Sequence, residues 1–145
     1  MHASRHPRTE RSRIVEYVRV FRVAIPSVRH GEAVSFYERV LGVKADDTVP
    51  SRVYFHCGDV IIAVIDWTIE ERRREFRSTP DDLYIATDEL DAVFGRAVAA
   101  EATITSPIEL RPWGERSFYC QDLDGNQLCF VDDTTLFLGG GAEWS

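Results

Sequence analysis

The same order of elements is written twice along this sequence, and few architectures accommodate such a tandem. In the first copy, Ile14–Ile25 is a β-rich run broken by Glu16 and Arg19. A helical stripe follows, with Ala33, Phe36, Tyr37, Val40 and Leu41 at offsets of three and four, and Gly42 stands where a left-handed cap belongs. Three strand candidates come next, Val43–Thr48, Arg52–Cys57 and Val60–Ile65, punctuated by Pro50-Ser51 and Gly58-Asp59. The second copy opens with a strand at Leu83–Thr87. Asp88 is placed to cap a helix whose stripe is Leu90, Val93, Phe94, Ala97 and Val98. Strands follow at Thr103–Leu110, Arg116–Gln121 and Gln127–Asp132. The last two are joined by Leu123-Asp124-Gly125-Asn126, a hairpin signal because these residues tolerate positive φ.

One helix and four strands over roughly fifty residues cannot bury both faces of a sheet. The helix covers one face. The other must meet its counterpart in the second half, or in another chain, and two facing sheets leave a cleft suited to a small ligand. The expected organisation is a disordered basic arm over residues 1–13, a first module over 14–66, a linker over 67–81, a second module over 82–134 and a mobile tail over 135–145. Together they form one domain.

Composition narrows the function. With 145 residues and a net charge of −7, the chain has no positive excess to release counterions from phosphate, which argues against nucleic acid as a partner. Arg5, Arg8, Arg11 and Arg13 make a local exception, a basic arm that either touches nucleic acid or an acidic partner or is a frayed terminus. No apolar run approaches the ~20 residues of a membrane helix, so no membrane is expected. Cys57, Cys120 and Cys129 lack metal-ligand spacing and make an odd count, which suits reduced thiols in the cytoplasm.

On these residues the chain resembles the vicinal oxygen chelate superfamily, also called the glyoxalase/bleomycin resistance/dioxygenase family. The resemblance spans about Tyr17–Thr134. It rests on Phe36-Tyr37 and Leu41-Gly42 at the end of the first helix, Asp88-Glu89-Leu90-Asp91 opening the second, Pro112-Trp113-Gly114-Glu115-Arg116-Ser117-Phe118, and Asp122-Leu123-Asp124-Gly125-Asn126. It implies an α+β fold of two βαβββ modules in tandem, forming a U-shaped, cleft-lining sheet, commonly in a dimer.

Metal-dependent members of that family use four inward-facing side chains, usually His or Glu, on the four central strands. Their motif placed on this sequence gives Arg22, Ala63 (or Ile62), Asp82 and Cys129. A fixed cation, an aliphatic side chain and a mixed hard and soft pair do not hold a divalent ion, so no metal or other cofactor is expected. Asp66 or His56 could supply ligands only in a shifted register.

Strand alternation turns Val20, Arg22 and Ala24 inward from the first strand, Asp82, Tyr84 and Ala86 from the fifth, and Gln127, Cys129 and Val131 from the last. Arg22 and Asp82 occupy equivalent positions, and either pair with each other or fork onto a ligand carboxylate and donor. Trp113, in the loop before the seventh strand, either stacks on a planar or cationic ligand or packs on the sheet end. Tyr84 donates a phenolic hydrogen bond or fills the core. The last hairpin has two registers. In one, paired residue numbers sum to 249, Cys120 lies opposite Cys129, and Arg116 and Phe118 face inward. In the other they sum to 248, and Ser117, Tyr119 and Gln121 face inward. The candidate ligand-binding set is Arg22, Asp82, Tyr84, Trp113, Arg116, Phe118, Gln127 and Cys129.

The expected function is binding of a small organic molecule in a metal-free cleft, for sequestration or resistance, by a homodimer. The alternative is a lyase, isomerase or ring-cleaving dioxygenase of the same superfamily with atypical metal ligands, or a metal-free enzyme using Arg22, Asp82 or Tyr84. An interaction module with a filled pocket is a third. Whether a reaction is catalysed stays open.

Overall fold

A computed structural model describes residues 18–70 and 75–139. The basic arm, the start of the first β-rich run and the end of the tail lie outside them. Two four-stranded sheets carry the fold. The first is built from β1 (Arg22–Ser27), β2 (Asp46–Val49), β3 (Arg52–Cys57) and β4 (Val60–Asp66), with helix α1 (His30–Leu41) inserted after β1. A short helix α2 (Trp67–Glu70) follows. The second sheet is built from β5 (Leu83–Thr87), β6 (Thr103–Leu110), β7 (Arg116–Gln121) and β8 (Gln127–Asp132), with α3 (Leu90–Ala99) after β5. The strand orders β1-β4-β3-β2 and β5-β8-β7-β6 are equivalent, with one parallel pair in each sheet. This is the α+β tandem of βαβββ modules read from the pattern.

Local chemistry sets the element ends. Gly42 closes α1 at φ 70°, donating its N–H to the Glu38 carbonyl, a conformation that costs glycine nothing. The second helix begins one residue later than expected. Its first flanking residue is Glu89 rather than Asp88, and neither side chain caps it; the Thr87 hydroxyl takes the Glu89 N–H instead, at 3.1 Å.

Both helices sit in one shared core. Phe36, Tyr37 and Val40 of α1 and Leu90, Val93 and Ala97 of α3 pack with Ile25, Phe55, Ile62 and Val64 of the first sheet and Phe118, Cys120, Leu128 and Phe130 of the second. Each helix also closes the other's end: Arg39 donates to the Ala99 carbonyl at 3.2 Å and Arg96 to the Val40 carbonyl at 3.3 Å. Because the helix-side faces converge, the helix-free faces point away from one another. Within one chain they do not close on each other.

Candidate functional site

The register of the last hairpin decides which side chains reach the helix-free face. Tyr119 pairs with Cys129 and Ser117 with Val131, so the sum is 248. Ser117, Tyr119 and Gln121 therefore share a face with Gln127, Cys129 and Val131. Arg116 and Phe118 do not, and the 249 register is corrected. Phe118 is buried between Phe94 and Phe130, at ring distances of 5.0 and 5.2 Å. Arg116 turns to the helix side, where it meets Asp91 at 3.1 Å. The turn itself sets this register: Gly125 at φ 85° and the Asp122 N–H to Asn126 carbonyl bond close it around Asp124.

On the helix-free face of the second sheet, Tyr84 is 55% exposed and meets Tyr119 edge to face at 6.4 Å. Cys129 lies fully buried beneath them, with the Tyr119 and Ser117 hydroxyls turned to its sulfur. Burial pushes the Cys129 thiol up to about 11 and the Cys120 thiol up to about 12. Neither is a thiolate at neutral pH, so neither is a nucleophile. An aromatic disulfide reagent is expected to leave Cys120 and Cys129 unmodified in the native protein and to titrate both only in denaturant. Rapid labelling of Cys129 in the folded state would contradict this burial.

Arg111, which no motif singled out, organises this face. Its guanidinium donates to the Ser117 Oγ, Ser106 Oγ, Glu109 Oε1, Pro107 carbonyl and Ser117 carbonyl, at 2.9–3.3 Å. It also lies 4.9 Å over the Tyr119 ring. With its donors satisfied and its side chain only 10% exposed, it is a brace for Tyr119 rather than a ligand fork.

Trp113 lines a hollow of about 420 Å³ with Tyr84, Ala86, Val131 and Leu136. Its indole N–H donates to Glu115 Oε1 at 2.9 Å, and the other Glu115 oxygen accepts the Phe137 N–H at 2.8 Å. The nearly buried Glu115 thus fixes the indole and the following segment together, leaving the ring to the hollow. Asp82 precedes β5 on the face of Tyr84, and partial burial with the Asp81 charge raises its pKa. Gln127 is half-buried at the start of β8, its N–H bonded to Thr79 Oγ1 at 3.1 Å.

Arg22 stands on the other module's helix-free face, against the Phe21 and Tyr54 rings at 5.0 and 5.9 Å. It makes no ion pair with Asp82 within the chain, because the two faces are separate. The expected site residues thus fall into three places: Asp82, Tyr84, Trp113, Gln127 and Cys129 on one helix-free face, Arg22 on the other, and Arg116 and Phe118 on the helix side.

The family's metal positions fail on donor chemistry. Arg22 is a cation and Ala63 offers no donor, which leaves Asp82 and Cys129 as one hard and one soft donor. The displaced candidates are committed elsewhere. Asp66 Oδ1 takes the Thr68 N–H and hydroxyl, and His56 bonds Asp46. Among the described residues, no three His, Cys, Asp or Glu side chains converge on one point.

A family model described as the Glyoxalase/Bleomycin resistance protein/Dioxygenase superfamily matches residues 19–130. No curated protein matches. Several solved structures share the fold. TioX from a Micromonospora species is 22% identical with a TM-score of 0.63, over 79% of this chain and 98% of that one. A superfamily member from Sphaerobacter thermophilus is 23% identical, also at 0.63, over 81% and 99%. A lactoylglutathione lyase from Agrobacterium tumefaciens is 20% identical, at 0.63, over 81% and 96%. Identities this low speak to fold alone.

Proposed function

The chain belongs to the glyoxalase/bleomycin resistance protein/dioxygenase superfamily, and on that premise we propose that it binds a small organic molecule on its helix-free faces without a metal ion, in a sequestering or resistance-like role. The observation that carries this reading is the hollow framed by Tyr84, Trp113 and Leu136. It joins aromatic walls to an exposed phenol, the mixture typical of small-molecule sites, where the family's metal positions hold unsuitable donors.

A second copy completes the site in this proposal. The helix-free faces open away from each other, and exposed Val20, Phe21 and Tyr84 are costly to leave in water. A homodimer that lays one module's face over the other's brings Arg22 toward Asp82 of the partner subunit, a pairing that one chain does not make. Three free thiols, two of them buried, support a cytoplasmic setting.

Light scattering is expected to give about twice the 16.5 kDa chain mass. Untagged protein is expected to carry well under one metal ion per chain by elemental analysis, with a melting midpoint insensitive to chelator. A library of planar organic cations and carboxylates is expected to yield binders that raise the midpoint. A ligand at a hundred times its Kd adds about 2.7 kcal/mol of stability. Tyr84→Ala and Trp113→Ala should erase that gain while leaving the ligand-free midpoint near wild type. Stoichiometric metal whose removal unfolds the protein, or a strict monomer with no binder, would refute the proposal.

A further inference from the structure

Where the two modules meet on the helix side, the shared core leaves a chamber that binding on the helix-free faces does not use. It measures about 550 Å³ and lies between the end of α1, the β3–β4 turn, β5 and α3. Close-packed interiors hold few voids larger than a water molecule, so an opening of this size beside a core has the dimensions of a ligand site. Buried Val40 and Phe130 form its floor, and partly exposed Leu41, Val60 and Ile85 its walls. Aliphatic walls suit a flexible hydrocarbon chain. β5 separates the chamber from the Tyr84–Trp113 hollow, because Ile85 turns to the helix side and Tyr84 to the other.

Arg96 supplies a positive charge to this chamber. Its Nε donates to the Val40 carbonyl at 3.3 Å, which anchors the guanidinium beside the end of α1. Its Nη1 faces Glu89 Oε1 at 3.6 Å, longer than a hydrogen bond. The terminal N–H groups therefore have no hydrogen-bond acceptor among the described residues, and the side chain is only 33% exposed. A guanidinium held by one nitrogen and open at the other two presents its fork to a carboxylate. Glu89, the more exposed of the pair, is the competitor that a bound carboxylate displaces toward water.

We propose that this inter-module chamber binds a medium-chain aliphatic carboxylate, with the hydrocarbon chain along Leu41, Val60 and Ile85 and the carboxylate on Arg96. The site is separate from the helix-free faces and does not depend on what they bind. Its two halves follow from chemistry. Apolar walls take hydrocarbon out of water, and each methylene buried tightens binding about fourfold until the chamber is full. The open fork of Arg96 selects a carboxylate over an alcohol or ester of the same length. Affinity should therefore climb from hexanoate to octanoate.

The probe is octanoate, titrated into the full-length protein by calorimetry and, in parallel, against labelling of Cys57 by an aromatic disulfide reagent. Cys57 lines the chamber and is half-buried, whereas Cys120 and Cys129 are fully buried, so the reagent reports on Cys57. Octanoate is expected to bind once per chain and to slow Cys57 labelling about tenfold at saturation. Octanol should bind about tenfold more weakly, a comparison that needs no variant to fold. Arg96→Gln should bring octanoate down to the level of octanol, and Glu89→Gln should tighten it about threefold by removing the competing carboxylate. Val60→Phe fills the chamber and should abolish binding, while Trp113→Ala, in the other hollow, should leave it unchanged. Labelling of Cys57 at an undiminished rate in saturating octanoate, or full affinity in Val60→Phe, overturns the site. Octanol binding as tightly as octanoate overturns the carboxylate class and the role of Arg96. Loss of octanoate in Trp113→Ala but not in Val60→Phe also overturns the chamber, and places the acid in the hollow of the preceding proposal.

Discussion

Asp122→Ala is expected to destabilise the protein by about 3–5 kcal/mol, more than a turn residue usually costs, because it removes the acceptor at the junction of the two modules. The carboxylate is 5% exposed. It accepts from the Tyr37 hydroxyl of α1, from the Asp124 and Asn126 N–H groups at 2.8 and 2.9 Å, and from Asn126 Nδ2 at 2.9 Å. Asn126 extends the network to the Pro26 carbonyl and the Thr79 N–H, both at 2.8 Å. Asp122 and Asn126 together therefore tie the first helix, the end of β1, the linker and the last hairpin. Alanine would leave buried donors without partners. Burial and the Asp122 charge raise the Tyr37 pKa well above its ordinary value, so the phenol stays a donor throughout the usual pH range.

Tyr37→Phe removes one bond and should cost only about 1 kcal/mol, and adding it to Asp122→Ala should cost almost nothing more. Urea unfolding at fixed protein concentration measures all three, since assembly would otherwise shift the midpoints. A loss below about 1 kcal/mol for Asp122→Ala would mean that the modules are joined by apolar packing alone.

This junction shows what the sequence conveys and what it withholds. Asp122-Leu123-Asp124-Gly125-Asn126 is legible as a hairpin because turn chemistry is local. That its first and last members hold two modules together is not, because their partners lie far away in the chain. The same division runs through the fold. The bounds of β3, β5, β6, β7 and β8 coincide with those read from alternation, since burial on one face imposes a period of two. β2 begins at Asp46 rather than Val43, and an irregular pairing separates Asp46 from Val49. Arg111 escapes notice because its partners Ser106, Glu109 and Ser117 form no motif until β6 and β7 bring them side by side. His56 and Asp46 meet through that same short edge strand, a contact that spacing does not announce.

Phe118→Ala and Tyr119→Ala, adjacent in sequence, are expected to have opposite phenotypes. Phe118 has no exposed surface, stacks on Phe130 at 5.2 Å and meets the edge of Phe94 at 5.0 Å. Its truncation should cost about 3–5 kcal/mol through lost burial and the cavity left behind. Tyr119 stands on the other face against Tyr84 and Arg111. Its truncation should cost about 1 kcal/mol of stability and abolish the midpoint rise produced by small-molecule binders, because Tyr84 loses its edge-to-face support and the braced wall is gone. A slip of one residue in the β7–β8 ladder exchanges these roles, since every side chain of the strand changes face. Thermal unfolding with and without a binder therefore tests the register and the site together. If Tyr119→Ala were the severe variant and Phe118→Ala the one that lost ligand, the pairing of Tyr119 with Cys129 would be wrong, and the surface assigned to the ligand would have to be redrawn around Arg116 and Phe118.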